Sequence, residues 1–124
     1  MALPQYWGLA GFERGLAVLH RLPAWCLILA VCVGGFAEEA LYRGVAYGLI
    51  SDIVGSVLAV IIVSLAFAVA HVPLWGWGPA LTIGISGAML TVAYAVHGDL
   101  WANALAHVTV DFVGIVAPRL TSRR

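Results

Sequence analysis

Ile53–Ala70, IVGSVLAVIIVSLAFAVA, runs for eighteen residues without a charged side chain. At 1.5 Å rise per residue, a helix of this length covers roughly 27 Å, close to the thickness of a bilayer's hydrocarbon core. A helix that is apolar all round is not an ordinary amphipathic surface helix, so the stretch reads as a transmembrane span. Ser51 and Asp52 are placed to cap it, and Pro73 to stop it, giving a second span over about Ile53–His71. Before it, a first span is expected from about Pro23 to Ile50, with Pro23 in the first helical turn. After it, a third runs from about Pro79 to His97 with Gly98 as its stop. A fourth runs from about Leu100 to Ala117, capped by Asp99 and ended by Pro118.

The whole composition agrees with this reading. The chain has 124 residues, of which 63% are hydrophobic and 10% charged, against about 25% charged in soluble domains. The expectation is an all-α polytopic membrane protein, a bundle of about four transmembrane helices. Residues 1–22 form an N-terminal interfacial segment, 23–117 the core and 118–124 a basic tail. Formal net charge is zero, with six arginines and no lysine; no basic patch points to nucleic acid. Cys26 and Cys32 are six apart on one predicted helix and imply neither a disulfide nor a metal or redox pair. No positive region precedes Arg14, so the N-terminus is not a secretory signal.

Four spans place both termini on one side. Arg14, Arg21, Arg119, Arg123 and Arg124 share that side, while the opposite turns Ser51-Asp52 and Gly98-Asp99 hold only acids. The positive-inside rule then predicts cytoplasmic termini. Trp7, Trp25, Trp75 and Trp77 are expected near the cytoplasmic interface as an aromatic belt.

Within this apolar frame six polar residues need explaining: Glu38, Glu39, Arg43, His71, His107 and Asp111. A charge at the bilayer centre costs about 2.5–3.5 kcal/mol on insertion scales. Glu39 and Arg43 are four apart, acid before base, and so can neutralise each other on one helix face. Glu38 lies about 100° round the helix, and only the Tyr42 hydroxyl lies one turn on. A carboxylate without a cationic partner, removed from water, is a candidate general base. His71 follows Phe67 by one turn near the end of the second span. Asn103, His107 and Asp111 are spaced by four along the fourth span and share a face, as interhelical hydrogen bonders or the lining of a cavity. His20 and His97 lie outside the spans or at their ends and are read as structural. Straight vertical helices counted from the cytoplasmic end would leave Glu38, His107 and His71 at different depths. Tilt, a later start to the second span or a kink at Gly34-Gly35 is required to bring them level.

The order Glu38-Glu39-xxx-Arg43, Phe67-xxx-His71, His107-xxx-Asp111 resembles the CPBP family, the CAAX protease and bacteriocin-processing intramembrane proteases, which include type II CAAX prenyl endopeptidases. The resemblance covers about Val31 to Ile115. It implies a metal-independent mechanism in which Glu38 takes a proton from water oriented by His71, while His107 and Asp111 face the developing oxyanion. Glu39 and Arg43 would hold the site together, with Tyr42, Phe67 and Asn103 around it. Asn is the commoner residue where Asp111 stands; Asp111 is either protonated or holds His107 in its donor tautomer. The implied substrate is a hydrophobic or lipidated peptide or protein within the bilayer, and the implied location a prokaryotic cell membrane. Relatives usually carry further helices before this core. The short segment here leaves a minimal enzyme, a fragment or completion of the cavity by homo-oligomerisation as readings. No cofactor is expected. One Glu and two His also match a zinc ligand set in type, and a non-catalytic scaffold or immunity factor or a proton pathway are the remaining alternatives.

Overall fold

The computed structural model describes residues 11–122, and among the described residues no strand occurs. Helix α1 spans Phe12–Leu19. Four longer helices follow: α2 Ala24–Val54, α3 Ser56–Trp75, α4 Trp77–His97 and α5 Leu100–Thr121, each long and apolar enough to cross a membrane. The protein is an all-α, polytopic integral membrane protein. The four spans alternate in direction, so Ala24, Trp75, Trp77 and Thr121 lie at one end of the bundle, called here the termini side.

The span limits differ from expectation at three turns. Ser51 and Asp52 do not cap α3; they belong to α2, where the Ser51 hydroxyl donates to the Gly48 carbonyl at 2.9 Å. The chain reverses instead at Gly55, with φ 85° and ψ 163°, a backbone region essentially reserved for glycine. Pro73 does not stop α3, which continues to Trp75 and ends before Gly76 at φ 84°. Pro73 lies in the last turn, where it costs the single bond that a backbone N–H there would make to the Val69 carbonyl, and the helix runs two residues beyond it. Pro118 does not end α5 either. The preceding segment Phe112–Val116 is π-helical, and the wider turn gives the ring room to follow without breaking the helix. Gly98 and Asp99 act as expected: Gly98 takes φ 66°, and the Asp99 carboxylate accepts from the Ala102 N–H at 3.0 Å.

Small residues let the helices approach closely, the usual device where lipid removes any hydrophobic drive between helices. In the most extensive pair, α3 with α4, a Cβ at Gly84 would lie 2.8 Å from Ala68 Cβ. In the next, α2 with α5, a Cβ at Gly35 would lie 2.9 Å from the Val108 side chain. Gly35 is therefore a close-approach site within α-helical Ala24–Glu39, so the kink at Gly34-Gly35, one of the three readings of the depth mismatch, does not occur. The departure from α geometry in α2 comes later, as a π-helical segment over Ala40–Tyr47.

Side chains inside the bundle form three layers. Leu27, Val31 and Val116 make an apolar cluster towards the termini side, and Tyr47, Ala59 and Val63 another towards the opposite side. Between them lies a polar layer whose largest fully buried side chain is Arg43. Outward positions such as Leu29, Ile53, Val57, Leu65, Met89 and Leu105 are exposed apolar residues, as a surface solvated by lipid requires.

Helix α1 joins the termini-side ends of α3 and α5. The Phe12 ring lies 5.4 Å from that of Trp75, a Cβ at Gly15 would overlap the Trp75 ring, and His20 Nε2 donates to the Ile115 carbonyl at 2.9 Å. Trp75 is thus not a belt residue: it is buried beneath α1, because the Cβ-less Gly15 leaves a flat seat for its ring. Trp25 and Trp77 are exposed; Trp7, Arg123 and Arg124 lie outside the described residues. Cys26 and Cys32 are free thiols.

The depth mismatch disappears when levels are counted from the turn at Gly55. Glu38 is sixteen residues before Val54 and His71 fifteen after Ser56, placing them about 24 and 22 Å from that turn. Helix α5 starts part of the way along α2, since Leu100 packs near Gly44. Gly44 stands about 15 Å from the turn, and His107 about 10 Å further along α5, so it reaches the level of Glu38. Span one is the long helix: it outreaches α3 on the termini side and α5 on the opposite side.

Candidate active site

Helix α2 carries Glu39 and Arg43 one turn apart, and both side chains are fully buried. Arg43 Nη1 donates to Glu39 Oε1 at 2.9 Å, the ion pair expected from their spacing. Glu39 holds two further partners, both from α5: His107 Nδ1 at 2.8 Å from Oε1 and Asn103 Nδ2 at 3.1 Å from Oε2. A carboxylate accepts only, so His107 Nδ1 carries a proton and donates it to Glu39. Glu39 is thereby the junction of α2 and α5. A carboxylate so enclosed is acceptable away from water because its charge is matched and its oxygens are satisfied.

Glu38, the next residue back, faces differently. Its side chain is 35% exposed, and its Oε2 lies 3.6 Å from His107 Nε2 and 3.8 Å from His71 Nε2. These distances exceed a direct hydrogen bond and leave the carboxylate open to a further donor such as water. His71 Nδ1 donates to the Phe67 carbonyl at 2.7 Å. Both imidazoles therefore have Nδ1 committed and turn Nε2 towards Glu38. Asp111 adds a second carboxylate, with Oδ2 3.4 Å from His107 Nε2. Because Asp111 meets Nε2 and not Nδ1, the partner that holds the His107 tautomer is Glu39.

Phe67 forms the floor. It is 2% exposed, with the His71 ring 4.5 Å and the His107 ring 5.9 Å from its own. Arg43 Cζ sits 4.8 Å over its face, a cation–π contact in a dry setting. Tyr42 meets its edge at 5.0 Å; among the described residues no hydrogen bond joins the Tyr42 hydroxyl to Glu38. Side chains from three helices thus converge: Glu38, Glu39, Tyr42 and Arg43 from α2, Phe67 and His71 from α3, and Asn103, His107 and Asp111 from α5.

The sequence reading missed α4 altogether. Arg43 Nε donates to Thr91 Oγ1 at 3.2 Å and Nη2 to the Gly87 carbonyl at 2.6 Å, while Asn103 Nδ2 also donates to the Leu90 carbonyl at 2.7 Å. A Cβ at Gly87 would come within 2.6 Å of the Phe67 ring, so glycine is needed there for Phe67 and the carbonyl to approach. Gly87 and Thr91, four apart in an uncharged span, were the available signal. Small and hydroxylated residues at that spacing also serve plain helix packing, which is why the signal was silent.

No group of three or more His, Cys, Asp or Glu side chains among the described residues has the arrangement of a metal site. The arrangement offers a half-exposed carboxylate flanked by two imidazole Nε2 atoms, braced by a buried ion pair and closed below by an aromatic ring. Chemically, such a carboxylate with two ring nitrogens facing it has the groups needed to bind a water molecule and accept its protons.

The sequence profile described as type II CAAX prenyl endopeptidase Rce1-like matches residues 20–113, which include every residue of this cluster. No curated protein and no solved structure matches the chain.

Proposed function

The chain belongs to the Rce1-like type II CAAX prenyl endopeptidase family, and from that premise we propose that it is a glutamate-type intramembrane endopeptidase. Its substrate is a hydrophobic or lipidated peptide or protein, cut within the bilayer near the cytoplasmic face. The observation that carries this reading is the position of Glu38 Oε2, 3.6 and 3.8 Å from two imidazole nitrogens supplied by two other helices.

In the proposed reaction the Glu38 carboxylate takes a proton from water, which His71 Nε2 orients as acceptor. The water oxygen bonds to the peptide carbonyl carbon, and the carbonyl π electrons move onto oxygen. His107 stands by that oxyanion and donates from Nε2 when its ring carries a second proton; Asp111 donates when protonated. The intermediate then collapses, the C–N bond breaks, and the proton on Glu38 passes to the leaving amine. General-base help of this kind is typically worth about 10²–10⁴-fold, and one oxyanion donor about 10²–10³-fold. No cofactor enters this scheme. A non-catalytic scaffold would need the Glu39–Arg43 pair alone, and would leave the cost of an open Glu38 unexplained.

The site lies towards the termini side of α3, and Arg14, Arg21 and Arg119 lie on that side, which supports cytoplasmic termini; a prokaryotic cell membrane is part of the same proposal. The decisive test is cleavage of quenched peptides, plain and with a prenylated C-terminal cysteine, by purified protein in lipid vesicles. Wild type cleaves, and Glu38→Gln, His71→Ala and His107→Ala each lose at least about 10²-fold. Four proteins behaving alike would sink the proposal. Activity that disappears on exhaustive chelation and returns with zinc would replace it with a zinc mechanism.

A further inference from the structure

We infer that Thr91, on the span that contributes no motif residue, is a positioning residue that sets His107 through Arg43 and Glu39. The inference rests on the proposed endopeptidase reading and adds to it a role for α4.

Thr91 is fully buried, and its hydroxyl is used twice. Its proton goes to the Gly87 carbonyl at 2.8 Å, so its oxygen lone pairs face Arg43 Nε at 3.2 Å. Gly87 O receives Arg43 Nη2 as well, at 2.6 Å. The guanidinium is thereby held by one edge against α4, with Nη1 left to point at Glu39 Oε1 at 2.9 Å. The same Oε1 receives His107 Nδ1 at 2.8 Å. Thr91, Arg43, Glu39 and His107 thus form one unbroken chain of hydrogen bonds from α4 through α2 to α5. A planar guanidinium presents its donors in a rigid fork, so fixing Nε fixes the direction of Nη1.

Without the Thr91 hydroxyl, Arg43 keeps Gly87 O and Glu39 but is released at Nε, so its plane can tilt about those two contacts. With Thr91, one geometry is selected, and with it the Glu39 oxygen that meets His107. His107 Nε2, opposite Nδ1 on the same ring, then points to Glu38 at 3.6 Å. The Thr91 hydroxyl bonds to Arg43 and Gly87 and to none of the groups proposed to react, which are Glu38, His71, His107 and Asp111. Its effect is to be found in turnover and in the His107 ring, not in substrate capture.

The test uses full-length protein in detergent micelles or lipid vesicles. Thr91→Val keeps the shape and removes the acceptor, Thr91→Ala removes acceptor and methyl together, and Thr91→Ser keeps the hydroxyl. The expected result is kcat lower by about tenfold in Val and Ala, with KM within about twofold, and near-wild-type kcat in Ser. A second measurement follows the Nδ1 proton resonance of His107 in histidine-labelled protein, assigned by its absence in His107→Gln. It shifts in Thr91→Val and Thr91→Ala and stays in place in Thr91→Ser. Unchanged kcat and resonance in Thr91→Val overturn the inference. So does an equal loss in Thr91→Ser, which would make methyl packing the cause. Should wild type cleave nothing while the resonance responds as described, the endopeptidase reading fails and the positioning chain stands. Active wild type with a resonance that ignores Thr91 keeps the endopeptidase reading and discards the positioning chain.

Discussion

Glu38 and Glu39 are adjacent carboxylates with opposite surroundings, one 35% exposed beside two imidazoles and one fully buried among an arginine, an asparagine and a histidine. Their substitutions should therefore separate activity from stability. Glu39→Gln leaves the Arg43 guanidinium buried without a counter-charge, and breaking a buried pair in this way costs about 3–5 kcal/mol. The expected outcome is a marked drop in thermal unfolding temperature of the purified protein. Glu38→Gln loses turnover with little change in that temperature; equal destabilisation by the two would contradict the division. Asp111→Asn is expected to retain cleavage, because the His107 Nδ1 proton is held by Glu39 and an amide at 111 can still donate towards an oxyanion. A dead Asp111→Asn enzyme, correctly folded, would mean that Asp111 needs its carboxylate.

Helix ends and helix contacts in this protein are governed by glycine more than by proline. Gly55 and Gly76 make the turns that Ser51-Asp52 and Pro73 were expected to make, each with φ near 85°. Gly55→Ala should destabilise the α2–α3 hairpin by about 1–3 kcal/mol, since an L side chain rarely adopts that backbone. Unfolding temperature measures this, and no loss would mean the turn re-forms elsewhere. Gly35 allows α5 to approach α2, with Val108 filling the space a side chain would take. Gly35→Leu is expected to push the two helices apart and to cost about 10²-fold in kcat, the scale of a misplacement near 1 Å. Rates of peptide cleavage at saturating substrate check it. The spans were legible from apolar length, as was the turn at Gly98-Asp99, but the limits near Gly55, Gly76 and Pro118 were not. A proline loses a single bond, and near a helix end or behind a π-helical turn that loss is absorbed.

At the scale of the whole molecule, apolar residues face outward and the ion pair sits inside, with α1 joining α3 to α5 across the termini side. Topology can be read directly. With Cys26 and Cys32 replaced by alanine, Ser122→Cys should react with an impermeant maleimide only from the cytoplasmic face, and Asp52→Cys only from the opposite face. The reverse pattern would overturn the orientation.

The residues themselves determined that this chain crosses a membrane with four helices, and which polar groups within it call for a partner. Apolarity and charge are local properties, and the penalty for a charge in hydrocarbon applies wherever the residue finally sits. The spacing of Glu39 and Arg43 likewise announced their pairing, because both lie on one helix. Tertiary structure alone decided that Glu39 also holds His107 and Asn103, that Thr91 and Gly87 anchor Arg43, and that Glu38 stands level with His71. Those meetings depend on the relative height and rotation of separate helices. Height and rotation are set by close contacts at Gly35, Gly84 and Gly87 and by the starting point of α5 beside Gly44, which no single helix's sequence periodicity encodes.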